Sequence, residues 1–306
     1  MMKKFLVAFI ASSFFMTGAS HGRPAVRTTA PLAQWHVLGD AGFSLGEATY
    51  QSVALAADGK PYVAYQDGAL QDKTTVMRFN GSTWETVGQA GFSAGKAFYQ
   101  SLAIAAESTP YVAYQDNAQN NKTTVMYYNG SAWKNVGPAG FSRGEAFNHH
   151  LVINSEGRPQ VIYQEKVRGR AGERIQTIEM VYNGTQWVAV RPGSALSVQP
   201  PTNPTFPVML QRGARQYEPS MVTTPDGAFF VLTQDERKGN KAVVRMTNDG
   251  GHTWKIVGNA GFSSGEATYL SLAVTPAYTP DNVLYYTLYA AYKDASQGNR
   301  TTVMKY

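Results

Sequence analysis

The chain has 306 residues, is 43% hydrophobic and only 16% charged, and contains no cysteine. That composition belongs to a globular chain rather than a disordered one, and the missing cysteine excludes disulfides, thiolate metal sites and cysteine nucleophiles together. The formal charge of +6 is a mild basic excess that points weakly to an acidic partner.

The N-terminus reads Met1-Met2-Lys3-Lys4, then an apolar run from Phe5 to Met16, then Thr17-Gly18-Ala19-Ser20. A short positive region, an apolar stretch and small residues predict a secretory signal peptide over 1–20, cleaved near Ala19 or Ser20. The run is too short to span a bilayer, so the mature protein is expected to be secreted or periplasmic and not membrane-embedded. Losing Lys3 and Lys4 with no acid lowers the net charge to +4, 25 basic residues against 21 acidic. Residues 21–34 read as a linker, and 35–306 as one domain.

From Trp35 onward the sequence repeats. Trp35, Trp84 and Trp133 are 49 residues apart, and the next intervals are 54 to Trp187 and 67 to Trp254. Each copy holds four strand signals. They are Trp-x-x-Val, an alternating Ser-Leu-Ala-Ile-Ala type as at 101–105, Pro-Tyr-Val-Ala-Tyr at 61–65 and 110–114, and Thr-Thr-Val-Met at 74–77 and 123–126. Turn residues such as Asp58-Gly59 separate the second and third. Asn80-Gly81, Asn129-Gly130 and Asn183-Gly184 are hairpin signals ahead of the next tryptophan. Four strands in about 50 residues is the dimension of one propeller blade. The chain starts on a lone tryptophan strand and ends on Thr-Thr-Val-Met, so pairing the two completes a blade and removes both free edges. The predicted fold is all-β, a five-bladed β-propeller of four-stranded antiparallel blades, closed by its N-terminal and C-terminal strands.

Thr247-Asn248-Asp249-Gly250-Gly251-His252-Thr253-Trp254 resembles the Asp-box turn of the Asp-box (BNR-repeat, sialidase-like) propeller superfamily. More loosely, the repeat region 35–306 is similar to the five-bladed tachylectin-type lectins. The Asp-box resemblance implies blade architecture and says little about chemistry. A sialidase would need three arginines on the substrate carboxylate, a tyrosine–glutamate pair and an acid. Glu218-Pro219-Ser220 is faintly similar to the glutamate segment of those enzymes, whereas Gln234-Asp235 stands where an arginine is expected. If the chain is an enzyme, the resemblance points to Glu218, Tyr217 and Asp235. Two carboxylates at a suitable separation could hydrolyse a glycosidic bond.

Two kinds of segment are predicted to share one face, the Ala-Gly-Phe-Ser stretches at 41–48, 90–97, 139–146 and 260–267, and the Gln-Asp-x5-Lys-Thr-Thr loops at 66–75 and 115–124. Loops on a rigid scaffold are where binding concentrates. Asp67 with Lys73, Asp116 with Lys122, Asp235 with Lys241 and Asp294 with Arg300 sit at the two ends of such loops. They read as loop-closing ion pairs or as repeated polar pockets for sugar hydroxyls. Glu47, Glu145 and Glu266 recur in the connecting loop, where Lys96 replaces the acid in one copy; that swap argues against an obligatory metal ligand. Phe43, Phe92, Phe141 and Phe262 read as wedges between blades.

The third and fourth copies depart from the repeat. His149-His150 replaces Gln-Ser or Leu-Ser, and as strand neighbours the two should face opposite ways and share no metal. A stretched loop carries Lys166, Arg168, Arg170 and Arg174. The connection Arg191 to Glu218 drops the Ala-Gly-Phe-Ser motif and holds Arg212, Arg215 and Tyr217, and Arg237 and Lys238 follow. Arginine forks suit carboxylate or sulfate groups. The expected ligand-binding residues are therefore Arg212, Arg215, Tyr217, Arg170, Arg237, His149, Glu145, Asp67, Lys73, Asp116 and Lys122. The first expectation is a secreted carbohydrate-binding, lectin-like propeller without catalytic activity. A protein-interaction or adhesion scaffold and a sialidase-like glycoside hydrolase are the alternatives. The expected partner is a glycan or an acidic surface ligand, with no nucleic acid, no cofactor, no metal and a monomeric chain.

Overall fold

In the computed structural model, residues 34–169, 172–190, 219–278 and 284–306 are described. The proposed leader, nearly all of the linker, and Arg170, Arg212, Arg215, Tyr217 and Glu218 lie outside them. The strands form five antiparallel sheets of four. After β1 (His36–Val37), the first blade is β2 (Ala48–Leu55), β3 (Pro61–Asp67), β4 (Lys73–Phe79) and β5 (Trp84–Thr86). The second is β6 (Ala97–Ile104), β7 (Pro110–Asp116), β8 (Lys122–Tyr128) and β9 (Trp133–Asn135). The third is β10 (Ala146–Ile153), β11 (Pro159–Gly169), β12 (Gly172–Tyr182) and β13 (Trp187–Ala189). The fourth is β14 (Ser220–Thr223), β15 (Phe229–Asp235), β16 (Lys241–Thr247) and β17 (Lys255–Ile256). The fifth is β18 (Ala267–Tyr278), β19 (Leu284–Asp294) and β20 (Arg300–Lys305), completed by β1, with His36 opposite Lys305 and Val37 opposite Met304. The predicted pairing of the N-terminal and C-terminal strands is the observed one, and it places β20 between β1 and β19 with both its edges paired.

Strand β3 is buried along its whole length, because each face of a blade meets a neighbour. Tyr62 and Ala64 pack with Leu102, Val112 and Trp133 of the second blade. The alternate residues Val63 and Tyr65 pack with Tyr289, Ala291 and Val303 of the fifth. A period of two thus serves two interfaces at once, which is why the strand reads as continuously apolar. Two further clusters join the second blade to the third and the fourth to the fifth. Among the described residues none of the four clusters spans the third and fourth blades.

The wedges are as predicted. Phe43 stacks on Trp84, Phe92 on Trp133, Phe141 on Trp187 and Phe262 on Trp35, with centroids 4.0–4.4 Å apart. Each of these indoles donates to a backbone carbonyl of the connecting segment, Leu38, Val87, Val136 or Val257, at 2.8–2.9 Å. Trp254 differs: its N–H donates to Gly251 O within its own turn. The connection that would have brought its phenylalanine is the one lacking Ala-Gly-Phe-Ser. In that turn Asp249 accepts from Thr247 Oγ1 and from Thr253 N and Oγ1. Those hydrogen bonds, the one from Thr247 foremost, hold its carboxyl well below the usual range.

Candidate functional site

The inner strands of the blades begin with a shared irregularity. In β2, β6, β10 and β18 the register with the next strand slips by one residue. The residue at the slip is Tyr50, Tyr99, Asn148 or Tyr269, with φ of +50 to +54°. Left-handed backbone is disfavoured for a bulky L-residue by roughly 1–2 kcal/mol. Keeping tyrosine there in three blades therefore indicates that the ring is needed where the bulge aims it. Tyr50 lies 5.0 Å from both Tyr99 and Tyr269, centroid to centroid, at 56° and 62°. The three rings form an arc on the wall of a central cavity of about 340 Å³. Gln51, Gln100, Asn148, His149, His150 and four serines complete most of its lining. Among the described residues this lining carries no aspartate, glutamate, lysine or arginine.

Serines knit the inner strands together. Ser52 Oγ accepts from Leu102 N, Ser101 Oγ from Leu151 N, Ser220 Oγ from Leu272 N and Ser271 Oγ from Val53 N, each at 2.9 Å. The third blade has His150 in the serine's place. The residue before the serine faces the preceding blade: Gln51 Nε2 reaches Thr301 Oγ1 at 3.4 Å. His149 does the same with Thr123 Oγ1 at 3.1 Å, while its Nδ1 lies 3.2 Å from Tyr99 O. A carbonyl only accepts, so Nδ1 carries the proton and Nε2 accepts the threonine hydroxyl. Burial lowers the pKa of His149 from 6.5 to about 4. Enclosure by the surrounding blades also lowers that of His150, although its ring is open to cavity water. Gln100 is buried with neither carboxamide atom bonded, and Gln51 Oε1 is likewise free. Such groups are rare in native interiors and mark a place for water or ligand.

The sequence-predicted residues fall into different places. The bulges that line the cavity directly follow the Ala-Gly-Phe-Ser segments. Asp67 and Lys73 face each other in register, as do Asp116 and Lys122, but the expected ion pairs do not form. Asp67 is buried; Oδ1 accepts from Ala69 N and Oδ2 from Thr75 Oγ1. Asp116 repeats this with Ala118 N and Thr124 Oγ1. Burial raises the pKa of both carboxyls, opposed by those hydrogen bonds. A carboxylate fully occupied inside its own turn closes a loop without offering a pocket, so the repeated sugar pockets are not formed there. Asp235 caps the corresponding turn through Arg237 N, and neither residue lines the cavity. His149 is taken up between blades, and its neighbour His150 faces the cavity.

The connecting-loop acids make cross-loop pairs, Glu47 with Lys293 and Glu145 with Lys166 at 2.8 Å. Lys96, the exchanged copy, pairs with Asp72 at 2.7 Å. Glu145 and Lys166 lie with Arg143, Arg168, Glu173 and Arg174 in a separate cleft on the third blade. Among the described residues no group of three or more His, Asp or Glu is placed to hold a metal. The bulge tyrosines were missed because Ala-Thr-Tyr-Gln-Ser reads as ordinary alternation. Only the backbone shows that the period breaks at the tyrosine.

No family model matches the chain, and no curated protein matches it. Among solved structures it is similar to a thermostable family-43 glycoside hydrolase, at 14% identity and TM-score 0.44 over 88% of this chain and 89% of that one. The Penicillium chrysogenum α-L-arabinanase complexed with arabinobiose gives 11% and 0.44 over 90% and 98%. An endo-1,4-β-xylanase from Bacteroides thetaiotaomicron gives 12% and 0.44 over 85% and 89%. These are glycoside hydrolases. The expectation of a lectin-like propeller without catalytic activity is corrected accordingly, and the filled aspartate turns remove the repeated pockets on which it rested.

Proposed function

We propose that the protein is an exported glycoside hydrolase whose saccharide site is the central cavity. The observation behind this is the arc of Tyr50, Tyr99 and Tyr269, held at φ of +50 to +54° around a mostly polar lining that carries no aspartate, glutamate, lysine or arginine among the described residues. A tyrosine offers a flat apolar face with a polar tip, which matches the C–H face and hydroxyl rim of a sugar. The carboxamides and serines supply hydrogen bonds of both senses. Among the described residues the lining has no arginine or lysine, which suits neutral sugars better than the sialic acids implied by the Asp-box resemblance. Glycoside hydrolysis also needs a proton for the leaving oxygen. Glu218 stands two residues before Ser220, the position that Tyr50 has before Ser52, Tyr99 before Ser101 and Tyr269 before Ser271. By that repeat register Glu218 is the acid of the site.

The test is an end-product assay of the full-length chain on arabinan, xylan and galactan oligosaccharides. Cleavage of at least one is expected. Glu218→Gln should lower turnover by roughly 10²–10⁴-fold, the usual worth of a general acid. Tyr99→Gly should keep the fold, because glycine adopts positive φ freely. It should weaken substrate binding by about tenfold, at the upper end of the roughly 0.5–1.5 kcal/mol of one aromatic contact. No cleavage of any of the three, or full activity of Glu218→Gln, refutes the reading. Export rests on the Lys3-Lys4, apolar and small-residue order of residues 1–20. The expected mass after secretion is that of a chain starting just after Ala19 or Ser20, and an intact N-terminus in the exported protein contradicts it.

A further inference from the structure

The third blade departs from the others at one end of β11. Strands β3, β7, β15 and β19 end on an aspartate whose carboxylate accepts the N–H two residues on, inside its own 3-10 turn. β11 has Glu165 at that place and continues four residues beyond it, to Gly169. The longer side chain reaches out of its hairpin instead. Glu165 is buried; its Oε1 accepts from Gly144 N at 2.7 Å, and Gln176 Nε2 lies 3.4 Å from its Oε2. Beside it Lys166 N donates to Glu145 O at 2.9 Å. These bonds fasten the extended hairpin to the connecting segment 143–145, and the two line a cleft of about 670 Å³. Charge collects in it. Arg143 stands where the other copies have Leu45, Ala94 and Ser264. Arg174 shares a face of β12 with Gln176, the face that meets Glu165, so the two arginines line the cleft from its two sides. Lys166 is committed to Glu145 at 2.8 Å. Arg168 and Glu173 are 4.0 Å apart with the arginine side chain 91% exposed, too loose a pair to neutralise either. Among the described residues no carboxylate pairs with Arg143 or Arg174.

We propose that this cleft binds a carboxylate-bearing sugar unit, a uronic acid, carried by the polysaccharide whose neutral units enter the central cavity. Two guanidinium forks without a carboxylate of their own match the paired oxygens of a uronate. Their like charges repel across the cleft until an anion lies between them. The bonds of Glu165 and Lys166 fix the walls in advance, so binding need not order a loose hairpin. Cavity and cleft adjoin on one blade. Asn148, which lines the cavity, donates through Nδ2 to Gln164 Oε1 at 3.0 Å, two residues before Lys166. Arg143 is five residues before Asn148, at most about 18 Å of chain. One branched saccharide can therefore occupy both. The source of the ligand rests on the proposed function of the cavity; the chemistry of the cleft does not.

The test is titration calorimetry with matched oligosaccharides of arabinan, xylan and galactan, each in a neutral form and a form carrying a uronic acid unit. Wild type is expected to bind the uronate-bearing form of at least one backbone about tenfold or more tightly than its neutral form, the gain of one charge-assisted contact. High salt should erase most of that preference, because both arginines are exposed. The double variant Arg143→Gln with Arg174→Gln should lose the preference while keeping the wild-type Tm and the wild-type affinity for neutral forms, since neither side chain lines the cavity. Arg158→Gln, which removes an arginine at the other end of β11, should keep it. No preference in wild type on any of the three backbones, or a preference that survives in the double variant, overturns the proposal. Cleavage of neutral oligosaccharides without a uronate preference overturns it and leaves the proposed function intact. Uronate binding that depends on Arg143 and Arg174, with none of the oligosaccharides cleaved, supports the cleft and overturns the hydrolase reading.

Discussion

Replacing Trp133 by alanine is expected to destabilise the propeller by about 3–5 kcal/mol, the usual cost of truncating a buried large aromatic residue. The indole stacks on Phe92 at 4.0 Å and 8°, and its N–H donates to Val87 O at 2.8 Å. It ties the outer strand of the second blade to the segment entering that blade from the first. Truncation removes apolar contact on both sides and strands the Val87 carbonyl. In a domain of this size the loss should appear as a fall in Tm of roughly 6–15 °C. Trp254→Ala is the comparison. That indole is only partly buried, and its hydrogen bond closes on Gly251, three residues away. Its removal should cost well under half as much. A loss for Trp133→Ala well below about 3 kcal/mol in thermal denaturation would show that the tryptophan–phenylalanine stack is not what fastens the blades.

Much of this architecture was legible in the sequence. Trp-x-x-Val at 49-residue spacing in the first three copies, Asn-Gly before three of the outer strands and the unmatched terminal strands point to blades and a closing pair. The phenylalanine wedges followed from their fixed distance to the tryptophans. The aspartate–lysine pairs were misread for a physical reason. Residues facing each other across a strand end suggest an ion pair, but a short 3-10 turn between them presents backbone N–H groups that capture Asp67 and Asp116 first. The tyrosine arc was hidden because a bulge has no distinctive letter code. Thr-Tyr-Gln-Ser satisfies strand alternation, and only the backbone slip turns Tyr50 toward the axis while leaving Ser52 to bond the next blade. The arginines of the third and fourth copies drew attention away from the cavity, and their described members Arg168, Arg174 and Arg237 do not line it.

His149 makes stability depend on pH in a way that its substitution should reveal. Buried between blades and filled at both ring nitrogens, it has a folded-state pKa of about 4 against 6.5 for an ordinary histidine. The unfolded chain therefore takes up the proton first as pH falls. The native state keeps its full advantage above about pH 6.5, loses it progressively between 6.5 and 4, and loses no more below. A shift of that size corresponds to roughly 3 kcal/mol. Asp67 and Asp116 act in the opposite sense, because burial raises their pKa values and acid favours their folded form. His150 acts in the same sense as His149, through its own depressed pKa. These groups are common to wild type and to His149→Gln, the residue that Gln51 and Gln100 place in the first two blades. The difference between the two proteins in denaturant unfolding therefore isolates His149. It should favour wild type most at pH 7 and shrink by up to about 3 kcal/mol by pH 4. Parallel stability curves for the two proteins would mean that the imidazole between Thr123 and Tyr99 is not held neutral. In that case the packing of the second blade against the third would have to tolerate a charge that its burial argues against.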